Sequence, residues 1–315
     1  MRVLVTGASG FIGQELCKSL KKSGFYVRAS VRRIDQPVLS GCEKIAVGDI
    51  GPETDWSLAS NNINVVIHLA NRAHILREHS EYPLADFRKV NVVGTERLAR
   101  VSAQSGVQRF IYISSIGVNG EFTSGRPFTE KDEVCPANPY AFSKWESEQA
   151  LYKISKDSGM KIVILRPPLV YGPDAPGNFA RLMRLIRVGI PLPLGNISNE
   201  RSFIYLGNLV DAIAVCVEHP KAVGETFLIS DGEDVSTPDL MKIIANASNK
   251  KLSLFSLPYG ILRMLCKIAG KSEQFEKLTG TLLVDSSKIR DLLNWKPPFT
   301  LEEGIAETVK KGVSI

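Results

Sequence analysis

The sequence predicts an α/β fold, a doubly wound parallel sheet with a smaller, interlaced C-terminal part, and three observations carry that expectation. Val3-Leu4-Val5-Thr6 reads as a buried strand that breaks at once into Gly7, Gly10 and Gly13, where a helix begins. Val65-Val66-Ile67-His68-Leu69-Ala70 is a continuous run of strand length, the pattern of a strand covered on both faces. Strand-like and helix-like stretches then alternate as far as Arg166, the order that builds a parallel sheet.

Composition narrows the class. The 315 residues are 44% hydrophobic and 23% charged, as in an ordinary globular protein. No run approaches the ~20 apolar residues of a membrane span, and the N-terminus enters a strand without a basic leader, so a cytoplasmic protein with no stable membrane insertion is expected. Cys17, Cys42, Cys135, Cys216 and Cys266 are scattered and form no C-x-x-C pair, which points away from a disulfide frame or a zinc site. The net charge of +6, read as spread along the chain, suits a small anionic substrate better than nucleic acid.

Taken in order, the first element is a phosphate cradle. One glycine lets the chain turn off the strand, another lets backbone N–H groups reach a pyrophosphate, and the third lets helix and strand pack closely. The helix N-terminus then faces the anion. Gly7, Ser9, Gly10, Phe11, Ile12 and Gly13 are the expected dinucleotide contacts. A second strand, Phe25 to Val31, runs into Arg32 and Arg33. At that strand end an acid favours NAD and an arginine accommodates the 2′-phosphate of NADP, so NADP is the favoured cofactor and NAD the alternative.

A third strand around Lys44 to Val47 ends in Gly48-Asp49-Ile50, and the fourth is the run from Val65. A long helix is expected from about Leu84 to Ser105, then the strand Phe110 to Ile113 leading into Ser114-Ser115. Another helix spans Pro139 to about Ser158, followed by the strand Ile162 to Arg166. After Pro167-Pro168 the alternation stops and prolines and glycines cluster. This places a dinucleotide domain at 1–170 and a mainly substrate-binding domain at 171–315, with Phe203 to Leu206 and Thr226 to Ile229 as strands able to return to the main sheet.

Tyr140 and Lys144 are four apart on one helix and share a face. A tyrosine there can exchange a proton with a substrate hydroxyl if nearby positive charge lowers its pKa from about 10. Ser115 sits at the carboxyl end of a sheet strand, where open α/β sheets bind ligands, and can hydrogen-bond the reacting oxygen.

Gly7-x-x-Gly10-x-x-Gly13, Gly48-Asp49, His68-Leu69-Ala70, Asn91 with Gly94-Thr95, Ser115 and Tyr140-x-x-x-Lys144 together resemble the extended short-chain dehydrogenase/reductase family over essentially the whole chain. The likeness is to its nucleotide-sugar epimerases, dehydratases and ketoreductases, the branch of UDP-glucose 4-epimerase. It implies an NAD(P)-binding Rossmann domain in which Ser115, Tyr140 and Lys144 are catalytic. It further implies Lys144 on the nicotinamide ribose, Asp49 and Ile50 flanking the adenine, and Leu69 and Ala70 along the cofactor. A homodimer packed through the helices of Asn91 and Tyr140 follows from the same resemblance. Arg166 to Pro173 looks like the family's connection between cofactor and sugar. Asn178 and Arg201 match positions that hold the diphosphate of a UDP-sugar, a task suited to a helix N-terminus and a planar guanidinium.

Two departures shape the expected reaction. Ser115 is followed by Ile116-Gly117 where 4,6-dehydratases carry an Asp-Glu pair, which disfavours dehydration. Arg32-Arg33 stand where NAD-retaining epimerases usually show an acid. With the stretches Ser115 to Glu121 and Phe227 to Asp234, which look like 4-ketoreductases of the UDP-N-acetylquinovosamine type, this makes a UDP-4-keto-6-deoxy-sugar 4-reductase, supplying surface-polysaccharide precursors, the first expectation. The alternative is a 4-epimerase of UDP-glucose or UDP-N-acetylglucosamine; a reductase of a non-nucleotide ketone and a non-catalytic NADP-binding regulator stand behind it.

His68, His74 and His79 lack a ligand pattern, so no metal is expected. Arg181, Arg184 and Arg187 read first as a solvated helix face, with attraction of a phosphate as the second reading. Ile261, Leu262, Leu265 and Ile268 form an apolar stripe read as core or subunit contact rather than a membrane anchor.

Overall fold

The computed structural model describes residues 1–72 and 83–311, so His74 and His79 lie outside the described residues. Among these residues nine strands form: β1 Arg2–Thr6, β2 Tyr26–Val31, β3 Glu43–Ala46, β4 Val65–His68, β5 Arg109–Ile113, β6 Lys161–Arg166, β7 Leu169–Tyr171, β8 Phe203–Tyr205 and β9 Thr226–Leu228. Seven make one parallel sheet in the order β3-β2-β1-β4-β5-β6-β9.

The apolar runs follow from burial on both faces. Val3 and Val5 point into one core cluster with Leu16 and Leu20 of helix Phe11–Lys22, while Leu4 between them points into a second with Leu98 of helix Thr95–Gln104 and Leu151 of helix Pro139–Ser158. The first cluster continues without a break to Leu240, Ile244 and Ile305, so the N- and C-terminal parts share one core. Strand order reverses between β1 and β4, which opens the ligand crevice at their carboxyl ends.

Two expectations are corrected. Phe203 to Tyr205 does not return to the main sheet; β8 pairs with β7 in a separate two-stranded sheet, whereas β9 does close the edge beside β6. Pro167-Pro168 accounts for this, because two residues without N–H donors end β6 before the chain enters β7. The long helix from about Leu84 is three segments, helix Pro83–Phe87, a π-helix Arg88–Gly94 and helix Thr95–Gln104. Gly94 lies against Ile50, whose Cγ2 is 2.5 Å from where a Cβ would stand.

The π segment turns Asn91 inward, as such segments do at functional sites. Its Oδ1 accepts from the Arg72 N–H at 2.7 Å and its Nδ2 donates to Arg72 O and Ser143 Oγ. Ser147 Oγ donates to Asn91 O. Asn91 thereby latches the chain leaving β4 to the helix that carries Tyr140 and Lys144. No helix among the described residues is long and apolar enough to cross a membrane.

Candidate active site

The glycine turn has the shape of a phosphate cradle. Gly7 adopts φ +67°, and a Cβ on it would stand 2.9 Å from the Ala70 nitrogen. A Cβ on Gly13 would come within 2.2 Å of Gly7 O, so helix and strand meet there with no room for a side chain. No side chain caps helix Phe11–Lys22 at Gly10, which leaves its N-terminus open to an anion. Leu69 and Ala70 leave β4 directly beside this turn, with the Ala70 N–H bonded to Thr6 Oγ1. These features fit a dinucleotide.

Arg32 and Arg33 project into solvent just past β2. Arg32 Nε pairs with Asp49 Oδ1 at 2.9 Å and Arg33 with Asp35 at 3.2 Å. Exposed pairs of this kind contribute little, so either arginine is released readily for an incoming phosphate.

Ser115 follows β5 and caps the 3₁₀ turn Ile116–Val118, its Oγ accepting from the Gly117 N–H at 3.1 Å. The hydroxyl proton stays available for a substrate oxygen. Tyr140 is the second residue of helix Pro139–Ser158, whose start is fixed by Asn138 Oδ1 accepting from the Ala141 N–H and by Pro139. The Tyr140 ring meets Phe87 edge-on at 6.0 Å. Burial pushes its phenol up to about 12, so in the free protein it is a proton donor. It becomes a base only when nearby positive charge lowers that value.

Lys144 lies one turn further along the same helix face, and it is 1% exposed. Burial pulls it down to about 7, opposed by Glu148 one turn further on. Its Nζ lies 4.3 Å from the centre of the Tyr112 ring, whose face favours the charged form. His68 is neutral: burial and the Lys144 charge hold it down at about 3, and its ring nitrogens lie 2.6 Å from Thr6 Oγ1 and 2.9 Å from Thr95 Oγ1.

Beneath Lys144 lies a fully buried polar cluster. Glu148 receives Arg166 Nε at 3.0 Å and Nη2 at 2.5 Å and also bonds Ser114 Oγ, while Arg166 Nη1 donates to Asn119 Oδ1 at 2.9 Å. Every charge here has a partner, which is what a buried pair requires.

Ser115, Tyr140, Asn178 and Arg201 line one cavity of about 360 Å³. Asn178 opens helix Asn178–Val188 after Gly177 at φ +78°. Arg201 is tied by backbone pairing to Val235, and its Nη1 donates to Lys277 O and Gly280 O, both at 2.9 Å, at the end of helix Ser272–Thr279. Its Nε and Nη2 are left without a protein acceptor among the described residues. The carbonyls of that helix end thus fix the guanidinium in place at the cavity wall.

Sequence reasoning missed several residues. Arg181 lines the cavity rather than only a wet face; its spacing of three from Asn178 was the available signal. Lys277 also lines it, paired with Glu273, and nothing local in sequence marks it. Glu148 continues the Tyr140–Lys144 face, but its partner Arg166 comes from another strand.

The description of the NAD dependent epimerase/dehydratase family matches residues 3–230. A Vibrio cholerae protein named UDP-glucose 4-epimerase is 45% identical, covering 98% of this chain and 94% of its own length. An Escherichia coli O157:H7 protein named N-acetyl-alpha-D-glucosaminyl-diphospho-ditrans,octacis-undecaprenol 4-epimerase is 27% identical, with 98% and 94% covered. Among solved structures, UDP-glucuronic acid 4-epimerase from Bacillus cereus in complex with NAD is similar with a TM-score of 0.80 at 26% identity, covering 99% of this chain and 96% of that one.

Proposed function

The chain belongs to the NAD dependent epimerase/dehydratase family, and from that premise we propose that it is a 4-epimerase of a UDP-hexose or UDP-N-acetylhexosamine. The observation that carries this reading is the single cavity where Ser115 and Tyr140 meet Asn178 and Arg201. The Vibrio cholerae, Escherichia coli and Bacillus cereus proteins are each named as 4-epimerases, which ranks this reading above the 4-reductase expected from sequence.

A nicotinamide cofactor held at the glycine turn would supply hydride acceptance and return at C4. Tyr140 Oη takes the proton of the C4 hydroxyl and gives it back after the sugar has turned its other face. Ser115 Oγ, already accepting from Gly117, donates to the same oxygen and orients it. Lys144 would hold the nicotinamide ribose, and its charge together with that of the oxidised cofactor would lower the Tyr140 phenol. Asn178 and Arg201 keep the diphosphate fixed while the 4-keto sugar rotates. Ile116 and Gly117 beside Ser115 offer no acid or base for removing water. In this reading a second copy packs against the helices of Asn91 and Tyr140.

The 4-reductase is the second reading, favoured by Arg32 and Arg33 at the strand end where a 2′-phosphate would lie. Cofactor retention separates the two. Purified protein that carries NAD and interconverts UDP-glucose and UDP-galactose without added cofactor supports the epimerase. Stoichiometric NADPH consumption with a UDP-4-keto-6-deoxy sugar, and no interconversion, assigns the reductase and NADP. In either case Arg201→Ala is expected to weaken UDP binding about 10- to 100-fold in calorimetry, the loss of a charge-assisted pair. Unchanged UDP affinity would remove the diphosphate role of Arg201.

A further inference from the structure

The basic excess is not spread evenly along the chain. Residues 250–271 contain Lys250, Lys251, Arg263, Lys267 and Lys271 and no acidic residue, a local +5 in a chain of formal charge +6. Helix Tyr259–Ile268 lies in the middle of this stretch and has two apolar faces. Leu262 and Cys266 turn onto the protein and pack against its core. Ile261, Met264, Leu265 and Ile268, at helical spacings of three and four, share another face and are 45%, 55%, 49% and 77% exposed. Lys267 borders that stripe beside Met264, whereas Arg263 projects from the far side of the helix and pairs with Glu276 at 3.6 Å; the exposed Phe255 and Tyr259 lie at the start of the same segment. A contiguous exposed apolar stripe of this kind marks an interaction surface rather than a solvated one.

We propose that this face docks the protein on an anionic lipid surface. The apolar stripe matches the boundary between headgroups and acyl chains, and Lys267 at its edge, in a segment of net +5, matches lipid phosphates. At ten residues the helix is about 15 Å long, so it lies along the interface instead of crossing it. A second copy is a poorer occupant, because a twofold contact on the stripe brings the Lys267 side chains of two chains together in a segment that carries no acid to offset them. Docking also places the cavity near the membrane. Tyr259 packs on Phe275 with the rings tilted and their centres 5.3 Å apart, and helix Ser272–Thr279, to which Phe275 belongs, supplies Gln274, Lys277 and Leu278 to the cavity wall.

The test is co-sedimentation of the full chain with phosphatidylcholine vesicles, with and without phosphatidylglycerol. Binding is expected only with phosphatidylglycerol and is expected to fall as salt is raised. The Leu265→Gln/Ile268→Gln double variant is expected to bind at least about tenfold more weakly, and Lys267→Gln about fivefold more weakly, both with the wild-type melting temperature. Failure of wild-type protein to bind, or undiminished binding by the double variant, overturns the proposal. So does ultracentrifugation showing that Ile268→Gln converts a dimer to monomers, which would assign the face to a second copy.

Discussion

Tyr140→Phe is expected to lower kcat by about 10²–10⁴-fold while leaving UDP affinity unchanged. The substitution removes one hydroxyl and keeps the ring, so the edge contact with Phe87 survives. What is lost is the only group proposed to carry the C4 hydroxyl proton. Ser115 remains, and its hydrogen bond to the reacting oxygen explains why activity falls without vanishing. Steady-state kinetics and calorimetry with UDP together decide the matter. Undiminished turnover would remove Tyr140 from the proton path, whereas a parallel loss of UDP affinity would mean that the variant had disturbed the cavity instead of the chemistry.

Glu148→Ala is expected to carry the largest cost in stability, about 3–5 kcal/mol, because it leaves the Arg166 guanidinium buried without its carboxylate. Urea denaturation measures it. The paired Glu148→Leu/Arg166→Met variant is expected to recover much of the loss, since removing both charges costs less than removing one; equal losses in single and double variants would contradict this account. Glu148→Gln has a further consequence through Lys144. The lysine is charged below its pKa, burial has already lowered that pKa to about 7, and Glu148 holds it up. Without the carboxylate the pKa drops again, the charged lysine is lost at lower pH, and the alkaline limb of the activity profile moves toward acid.

Much of the site is local in sequence. The glycine turn lies within seven residues of β1, Tyr140 and Lys144 are one turn apart, and Ser115 ends a strand that announces itself by its apolar run. These features needed only short-range geometry to be read. Arg201 and Asn178 were marked by resemblance, and they line the same cavity as Ser115 and Tyr140. What escaped is nonlocal. Glu148 meets Arg166 across two elements, Lys277 enters the cavity from a helix near the C-terminus, and β8 chooses β7 because a proline pair lies upstream. The π segment around Asn91 escaped for another reason, since its apolar spacing is that of an ordinary helix and only the packing of Gly94 on Ile50 distinguishes it.

The place of β9 in the sheet sets a hazard during synthesis. β6 carries the apolar core Ile162 to Leu165, and the strand that covers its outer edge begins only at Thr226. At about 5–20 residues per second, a ribosome needs several seconds to deliver the intervening chain. Throughout that interval the nascent protein presents an unpaired, flat, hydrophobic edge, the template on which strands of other chains add. Helix Leu206–Glu218 emerges before β9 and shields one face of the sheet, but it leaves the edge itself bare. Fragments ending before residue 226 keep that edge permanently, so their solubility depends on chaperone capture rather than on the stability of the dinucleotide-binding half.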